Sequence, residues 1–419
     1  MEIEMKIKNV DKESERKNMS KTNVVILGAG YAGLRALRSL QSKRLDIDIT
    51  LVNKNEYHYE ATYLHEVASG AHAAERISYP IKDVVTPKRT NFIQDTVVVV
   101  NKDEKTVELE KNGTISFDYL ILALGFESES FGIKGVDEFG LPMVDIETSK
   151  AVDEHLRKQF EKYNETKDES YLSIVVCGAG FTSIEYIGEL TLQMPKLVKQ
   201  YNVPAEKIQI TCIEAMSNLL PMFDKELSDY GIEILKKRGV KFFVGTPIKE
   251  LTADTVIYEE AGELKSVKAK TIVWTTGVRG SSIVERSGFE QRRNRVMVEN
   301  DLTAPGYPEI FIIGDCSAVM DSKTNRPFPP TAQIALKQGV SAANNLEAKL
   351  KGTAIKPFTF TSLGTVCSIG NTEAIGEVMG RNLKGYPASV MKKIIGDRSL
   401  MMTGGVGITA KKGRFDFFR

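Results

Sequence analysis

The sequence has few of the residues that build disulfide, zinc or membrane-spanning structures. Its four cysteines are far apart and form no CxxC or CxxxxC pair, which argues against a disulfide reductase. With no secretory signal, such sparse cysteine use predicts a reducing, cytoplasmic compartment. The four histidines form no HExxH motif and no Cys/His pair, so no zinc site is predicted. No run of about 18 apolar residues occurs, so no membrane-spanning helix is expected.

The chain also lacks an excess of either charge. Its 56 Lys and Arg against 55 Asp and Glu give a net charge of +1, and no basic stripe interleaved with aromatic residues is present. Nucleic acid is therefore not an expected partner. A length of 419 residues with 42% hydrophobic content predicts two or three well-packed domains. Residues 1–20 are highly charged and predict a disordered extension, so that the functional chain effectively begins near Met19.

Two stretches place a glycine loop between an apolar run and a helical pattern. The first, NVVILGAGYAGLRAL, is followed by the strand pattern IDITLVNKN, and the second, IVVCGAGFTSIEYIGEL, by KIQITCIEA. Each is a βαβ unit, which requires a parallel, doubly wound sheet. The predicted fold class is therefore α/β, with two Rossmann-like dinucleotide-binding domains and the second inserted in the first.

Further apolar strands that end in glycine turns, FDYLILALG, KTIVWTTGVRGS and EIFIIGDCSAV, guide the predicted domain boundaries. The first dinucleotide-binding domain is expected to comprise residues 21–150 and 290–345, and the second residues 151–289. Residues 346–419 form a distinct C-terminal region.

The first loop fits the pattern GxGxxG directly after a strand. The first glycine permits a tight turn, the second lets backbone amides approach a pyrophosphate, and the third lets helix pack on strand. Helix N-terminal amides then hold the phosphates. The alternative is a tight turn without a ligand. The predicted cofactor-binding residues of this loop are Gly28, Ala29, Gly30, Tyr31, Ala32 and Gly33.

The second strand of each βαβ unit ends in a different kind of residue. After the first loop, Asn53 and Lys54 stand where an acid would normally face the ribose, so they are candidate cofactor residues that do not identify the dinucleotide. After the second loop, with Gly178 and Gly180, the strand ends at Glu214. A carboxylate there binds both ribose hydroxyls and repels a 2′-phosphate, which favours NADH over NADPH. The alternative for Glu214 is a solvated strand end.

Two dinucleotide sites in one chain have a simple chemical use. One holds a tightly bound flavin and the other presents a nicotinamide to it, because hydride transfer needs the two rings in contact.

At this point five motifs resemble one known family. The stretches GAGYAGL, NKNEYHYEATYLHEVASG, GAGFTSIEYIGEL, FIIGDCSA and PPTAQIALKQG, in this order, resemble type II NADH dehydrogenases. These are single-subunit NADH:quinone oxidoreductases that contain FAD and pump no protons. The resemblance extends from residue 22 to the C-terminus. It implies NADH as the substrate, non-covalent FAD as the cofactor, and a membrane quinone, menaquinone in Gram-positive relatives, as the acceptor.

The resemblance implies roles for residues that no local pattern would select. Asp315 would bind the ribityl-phosphate region of the flavin, and the backbone of Val97 would meet the adenine, unless it is an ordinary strand valine. Ala332 and Gln333 would lie beside the isoalloxazine, with Gln333 facing the quinone. Lys337 shares a helix face with Gln333 and would also contact the quinone, although it replaces a family glutamine and can donate but not accept; an exposed polar face is the alternative.

Two further residues are placed at the reacting centre by the resemblance. Glu185 follows the second loop by one turn and would orient NADH or pass protons toward the reduced quinone, whereas helix-end electrostatics alone is the alternative. Lys392 matches a lysine that reaches the flavin and quinone, and its alternative is contact with anionic lipid.

The C-terminus combines positive charge with apolar residues. From Pro387 to Arg419 there are seven Lys or Arg against two Asp or Glu, with apolar residues from Val390 to Ile395 at helical spacing. This combination predicts peripheral docking on an anionic leaflet, at the cytoplasmic side of the cell membrane, with dimer packing or a core helix as the alternative. A homodimer is expected from the resemblance.

Three other activities stay open at this level. A sulfide:quinone reductase of the same fold would need reactive cysteines, for which Cys316 and Cys367 leave an opening. A soluble NADH oxidase would have no use for the basic, apolar C-terminus. A redox sensor would bind NADH and FAD at the membrane without turnover.

Overall fold

The computed structural model describes residues 21–321 and 324–415. The predicted disordered extension, with Met19, and residues 416–419 lie outside these ranges. The long helices are labelled here in chain order: α1 Tyr31–Gln41, α2 Ile146–Thr166, α3 Phe181–Tyr201, α4 Lys225–Lys237, α5 Ala332–Lys351 and α6 Tyr386–Lys412. Shorter helical segments are Ala61–Tyr63, Leu64–Ala68, Ala74–Arg76, Ile81–Asp83, Val136–Phe139, Glu169–Leu172, Ala205–Lys207, Ile283–Arg286 and Gly314–Cys316.

The first glycine loop lies at the centre of a six-stranded sheet. The apolar strand before it is fully buried from Val24 to Leu27, as a central parallel strand requires. All neighbouring strands of this sheet are parallel except Thr303–Ala304 and Tyr307–Ile312, which are antiparallel. Strand order reverses at this central strand, and doubly wound sheets bind ligands at such a switch point. In spatial order the strands are Thr303–Ala304, Tyr307–Ile312, Tyr119–Leu122, Thr22–Leu27, Ile47–Asn53 and Thr90–Gln94.

The second glycine loop follows the central strand of a five-stranded parallel sheet. Its strands in spatial order are Leu141–Pro142, Thr271–Trp274, Ser173–Cys177, Gln209–Glu214 and Val240–Val244. All of them lie between the two portions of chain that form the first sheet, so the predicted α/β class with an inserted second Rossmann-like domain is confirmed. The predicted boundaries at residues 150 and 345 fall inside α2 and α5, whereas the boundary at 289 follows the segment Ile283–Arg286.

Antiparallel strands complete the fold. The chain crosses between the two sheets twice, and the two crossings pair with each other as Phe126–Ser128 and Val278–Gly280. Three-stranded sheets are formed by Val97–Asn101, Thr106–Leu109 and Gly113–Ser116, by Ile248–Thr252, Thr255–Glu260 and Glu263–Lys268, and by Gly364–Ser368, Ala374–Val378 and Arg381–Lys384. Strand pairs are Tyr57–Tyr59 with Ser78–Pro80, Val296–Met297 with Ser317–Ala318, and Met320–Asp321 with Arg326–Pro327.

One hydrophobic core joins three parts of the chain around α3. It contains Tyr63 and Leu64 from the first domain, Ile184 and Ile187 from α3, and Ile369 from the C-terminal sheet. A Cβ added at Gly188 would lie 2.7 Å from the backbone carbon of Ile369, so this glycine lets α3 approach the sheet closely. This packing brings polar residues from all three parts to one place.

The C-terminal helix α6 turns several apolar side chains outward. Ile394, Ile395 and Met401 are 45%, 38% and 45% exposed, whereas Lys393 is buried. The helix bends at Gly405, which has a φ of +81°. No helix in the described part of the chain has the length and apolarity needed to cross a bilayer.

Candidate active site

The first loop is shaped by contacts that leave no room for side chains. A Cβ on Gly28 would lie 2.3 Å from the carbonyl oxygen of Ala123, and one on Gly33 would lie 1.9 Å from the carbonyl oxygen of Gly28. The side-chain oxygen of Asn53 accepts a hydrogen bond from Ala29 N at 2.9 Å. Asn53 thereby fixes the loop, and its amide nitrogen donates to the carbonyl of Asn55.

The second loop repeats this arrangement with a charged residue. Glu214 accepts hydrogen bonds from Ala179 N at 2.7 Å and from Met216 N at 2.8 Å. Gly178 has a φ of +94°, and Ser183 occupies the position of the third glycine. The Ser183 hydroxyl lies 2.7 Å from that of Thr275. A carboxylate has about four acceptor sites, so Glu214 retains capacity for hydroxyl donors.

Both loop helices begin without a side-chain cap. Gly30 and Gly180 are the N-cap residues of α1 and α3, and neither first turn carries an acidic residue. In contrast, Asp145, Asp224 and Thr331 cap α2, α4 and α5. A Cβ on Gly30 or Gly180 would meet no atom within 4 Å. The first-turn amides of α1 and α3 therefore face open space, as an anion-binding N-terminus requires.

A third strand end supplies an acid beside the first loop. Burial raises the pKa of Asp315 to about 6, whereas Arg295 lowers it. None of the described residues donates a hydrogen bond to this carboxylate. The turn is held by Gln338, which accepts from Gly314 N at 2.6 Å and donates to the Ser317 hydroxyl at 3.0 Å. Asp315 is thus positioned for hydroxyl donors from a ligand.

Glu185 and Lys392 form a buried ion pair at the junction of the three parts. Lys392 Nζ donates to Glu185 Oε1 at 2.6 Å, and the two side chains are 15% and 6% exposed. Ser368 N donates to the same oxygen at 3.0 Å. Burial alone would lower the pKa of Lys392, but Glu185, with Tyr63, holds it above its ordinary value.

His65 lies on the other side of the same carboxylate. Its Nδ1 is 3.5 Å from Glu185 Oε2. Burial lowers the pKa of His65 to about 3, so the imidazole is neutral near pH 7 and this contact is not an ion pair. Glu185 therefore has a single cationic partner in the described structure, the Lys392 ammonium.

A second ion pair holds the C-terminal tail against this cluster. The guanidinium of Arg414 binds both carboxylate oxygens of Glu66, at 2.6 and 2.7 Å, and lies 3.6 Å from the centre of the Tyr63 ring. Arg414 N also donates to Asp397 at 2.7 Å. Burial raises the pKa of Glu66, but the stronger combined effect of Arg414 leaves it below its ordinary value.

Glu189 lies one turn beyond Glu185 on α3 and is also buried. Burial and then the charge of Glu66 raise the pKa of Glu189 to about 7. This carboxyl group therefore titrates near neutral pH, within the cluster that contains the Glu185–Lys392 pair.

The strand Gly364–Ser368 connects this cluster with the predicted quinone residues. Gln333 accepts from Leu363 N at 2.9 Å and donates to the Gly364 carbonyl at 3.4 Å. Ser368, at the other end, binds Glu185. Four residues span about 13 Å along a strand. Lys337 is exposed and makes none of the hydrogen bonds found around Gln333.

The remaining predicted residues make different contacts. Val97 is buried at the start of its strand, two residues after Asp95, whose amide donates to the Asn53 carbonyl at 3.0 Å. Lys54 is exposed and pairs with Asp145 at 3.1 Å. Ala332 is the first residue of α5.

Sequence reasoning missed His65, Gln338 and Arg414. His65 is one of two histidines in a motif that carried the family resemblance, and its place in that motif is the one signal that could have found it. Gln338 follows Lys337 directly but faces inward, which a helical-face argument from Gln333 alone does not indicate. Arg414 gave no signal beyond the general positive charge of the C-terminus.

The four cysteines are free and buried. Burial raises the pKa of Cys316 to about 12 and that of Cys367 well above its ordinary value. Both are therefore neutral thiols at neutral pH, whereas the thiolate is the reactive form. In the described residues no group of histidine, cysteine and acidic side chains has the arrangement of a metal site.

Comparisons with known proteins agree with this geometry. A family model described as pyridine nucleotide-disulphide oxidoreductase matches residues 22–339. A Staphylococcus aureus protein named type II NADH:quinone oxidoreductase is 42% identical over 396 residues, which cover 94% of this chain and 98% of that protein.

Two solved structures have the same fold. The NDH2 of Plasmodium falciparum in complex with NADH has a TM-score of 0.83 at 18% identity, covering 96% of this chain and all of that one. The sulfide:quinone oxidoreductase of Aquifex aeolicus has a TM-score of 0.74 at 20% identity, covering 91% of each chain. At these identities the likeness shows the fold alone.

Proposed function

Because the chain belongs to the type II NADH:quinone oxidoreductases, within the pyridine nucleotide-disulphide oxidoreductases, we propose that it passes a hydride from NADH to FAD and two electrons onward to a membrane quinone, without pumping protons. The net reaction combines NADH, one proton and a quinone to give NAD⁺ and a quinol. The observation that carries this proposal is the buried Glu185–Lys392 pair. Glu185 lies on the helix of the second dinucleotide loop, Lys392 lies on α6, and His65 of the first domain lies beside them.

The first loop has the features that a non-covalent FAD requires. The uncapped N-terminus of α1 would hold the pyrophosphate, the open face of Gly30 would admit it, and Asp315 would accept hydrogen bonds from ribityl hydroxyls. The backbone of Val97 would meet the adenine, and Ala332 would lie beside the ring. FAD supplies a two-electron acceptor for hydride. Residues 21–150 and 290–345 are assigned to this domain.

The second loop, in residues 151–289, is assigned to NADH. The N-terminus of α3 would hold its pyrophosphate, and Glu214 would accept both ribose hydroxyls while repelling a 2′-phosphate. Glu185 then lies on the same helix as the phosphate site, one turn further into the protein, where it would orient the nicotinamide.

The proton needed for quinol formation is assigned to the Glu185–Lys392 pair. Burial alone would lower the pKa of the Lys392 ammonium, but Glu185, at 2.6 Å, holds it above its ordinary value, so the amine carries a proton. Donation of this proton to a reduced quinone oxygen would leave Glu185 an unpaired buried charge, which drives reprotonation of the amine. Gln333, fixed at the other end of the strand Gly364–Ser368, would donate to a quinone carbonyl. Lys337 is exposed and would contact only the outer part of a long quinone.

The quinone side is assigned to the membrane surface. The outward apolar residues of α6 and the net positive charge of residues 387–419 suit docking on an anionic leaflet from the cytoplasmic side. Menaquinone is the proposed acceptor. A homodimer is proposed from the family alone.

The test is turnover by the purified full-length protein with NADH or NADPH and with menaquinone or a water-soluble benzoquinone. We expect a yellow protein whose FAD is released intact on denaturation, NADH-dependent quinone reduction, and no proton gradient in proteoliposomes during turnover. A protein that stays colourless after incubation with FAD would contradict the proposal.

The other outcomes separate the alternative activities. Reduction by sulfide in place of NADH would identify a sulfide:quinone reductase, which the buried neutral thiols of Cys316 and Cys367 argue against. Rapid oxidation of NADH by oxygen without a quinone would identify an NADH oxidase. Binding of NADH without turnover would identify a redox sensor.

A further inference from the structure

Two arginines of α1 face the C-terminal helix. Arg35 Nη1 donates to the carbonyl of Met402 at 3.3 Å. Arg38, three residues later on the same face, lies beneath the bend of α6, because a Cβ on Gly405 would be 2.7 and 2.8 Å from its two terminal nitrogens. The first-loop helix and α6 thus meet through two guanidinium groups.

A third arginine, Arg398, approaches them from α6 and is exposed. Burial lowers the pKa of Arg35, and the charges of Arg38 and Arg398 lower it further. Among the described residues, no carboxylate lies within the 4.0 Å of an ion pair from any of the three. The Nε atoms of Arg35 and Arg38 are buried without an acceptor.

Three neighbouring cations without an anion repel one another, and buried donors without acceptors lower stability. The charge repulsion is removed by a ligand with several anionic oxygens, and guanidinium groups match phosphate in shape and charge. The three arginines therefore favour a phosphate group or a similar oxyanion as the ligand.

The surroundings of Arg398 are apolar. Ile394 and Ile395 precede it by four and three residues and Met401 follows it by three, so all share its helix face, and all are exposed. An occupant of this surface would have an anionic head and apolar chains.

We propose that Arg35, Arg38 and Arg398 bind the phosphate of an anionic phospholipid, with its acyl chains along Ile394, Ile395 and Met401. This assignment rests on the membrane docking in the proposed function. It goes further, because the headgroup would tie α1 of the flavin-binding domain to the membrane-docking helix.

The test compares two double variants of the full-length protein that lose the same charge. Arg35→Gln with Arg38→Gln removes two of the three arginines of the site, whereas Arg44→Gln with Lys82→Gln removes two exposed charges outside the site and outside α6. Binding is measured by co-sedimentation with vesicles of phosphatidylcholine alone or with added phosphatidylglycerol. We expect the site pair to lose about tenfold more affinity for the phosphatidylglycerol vesicles than the control pair. Equal losses would overturn the proposal.

Two further measurements keep the result interpretable. Arg398→Gln changes an exposed side chain that is not needed for packing, and it should reproduce the loss in part even if the double variant folds poorly. A different outcome is that inorganic phosphate stabilises the wild-type protein while the protein shows no preference for phosphatidylglycerol vesicles. That result would assign the site to a free anion and overturn the proposal of a lipid ligand. Turnover of NADH with a water-soluble quinone by the wild-type protein reports on the proposed function separately, since it requires no vesicles.

Discussion

The two glycine loops of this chain are built alike but packed differently. In the first, a Cβ on Gly33 would lie 1.9 Å from the Gly28 carbonyl oxygen, so only glycine fits. In the second, Ser183 occupies that position and its hydroxyl lies 2.7 Å from that of Thr275. The first helix is therefore held closer to its strand. This difference suits a tightly kept cofactor in the first loop and an exchanging substrate in the second.

The residues that fix the two loops differ in charge. Asn53 and Glu214 both accept from the alanine amide between the first two glycines. The amide of Asn53 is neutral and makes one hydrogen bond as acceptor and one as donor, whereas the carboxylate of Glu214 keeps both acceptor capacity and a negative charge. We therefore expect selection against a 2′-phosphate in the second loop and not in the first.

The helices that follow also carry different residues at one shared position. Seven residues after the first glycine of each loop stand Arg35 and Glu185. Both contact α6, through the Met402 carbonyl and the Lys392 ammonium respectively. The same turn of helix thus meets the C-terminal region in both domains, once at the arginines of α1 and once at the proposed reacting centre.

The largest effect is expected from exchanging the residues at the third glycine position of the two loops, Gly33 and Ser183. Gly33→Ser forces backbone movement, and we expect a loss of about 3 kcal/mol or more in the free energy of unfolding, with loss of bound flavin. The measurements are denaturant unfolding and the flavin-to-protein absorbance ratio.

The reverse change is the control for this exchange. Ser183→Gly should cost about 1 kcal/mol and leave the flavin bound. A Gly33→Ser protein with full flavin content and unchanged stability would show that the two loops are packed equally.

The next effect concerns Glu189, whose counterpart on α1 is Ser39, a residue without charge. Burial and then the charge of Glu66 raise the pKa of Glu189 to about 7, from an ordinary value of 4.5. Between these values the unfolded chain has lost the proton that the folded chain keeps, so stability falls as pH rises. Glu189→Gln removes this loss and should gain up to about 3 kcal/mol over the wild type between about pH 5 and pH 8.

Denaturant unfolding of both proteins at the two pH values measures this gain. Glu147→Gln, an exposed carboxylate on α2, is the control and should show no such trend. An equal stability difference at both pH values would mean that Glu189 is ionised throughout.

The fold was predictable because its signals are local. Apolar runs that end in glycine identified the central strands, and two βαβ units implied a doubly wound sheet with an insertion. The family resemblance, carried by short motifs, is likewise confirmed. The boundaries at residues 150 and 345 lie inside helices, because motif spacing does not reveal caps such as Asp145, which starts α2.

The site was predictable in part. Glu185 and Lys392 were selected individually, but their ion pair joins positions 207 residues apart, which no local pattern indicates. The Glu66–Arg414 pair spans 348 residues and was missed. Lys393 is one of the cations of the basic C-terminus but is buried, which the sequence did not indicate, since the face that α6 turns inward is decided by packing against α1 and the C-terminal sheet.

A smaller effect is expected from Glu185→Gln, which makes the second helix neutral at the position it shares with Arg35. The variant retains shape but leaves the buried Lys392 ammonium without its counter-charge. We expect flavin to be retained and turnover with NADH and a quinone to fall about 100-fold, as for loss of a positioned proton-transfer group.

Steady-state kinetics of this variant and of Glu147→Gln, a first-turn helix carboxylate, separate the two explanations for Glu185. Full activity of Glu185→Gln would contradict a role in proton transfer and support the alternative of helix-end electrostatics alone. Loss of activity in both variants would point to helix electrostatics in general.

The smallest change in turnover is expected at the strand ends Glu214 and Asn53. Substitutions there test directly whether the two loops bind different nucleotides. Glu214→Arg should lower the preference for NADH over NADPH about 10- to 30-fold, because a charge-assisted contact is lost and a 2′-phosphate gains a partner. Asn53→Asp, the matching change in the first loop, should leave that preference unaltered. Since Glu214 also accepts from Ala179 N and Met216 N, Glu214→Gln is needed to separate loop disorder from charge. If Asn53→Asp shifted the nucleotide preference and Glu214→Arg did not, the two loops would have to exchange their assigned ligands.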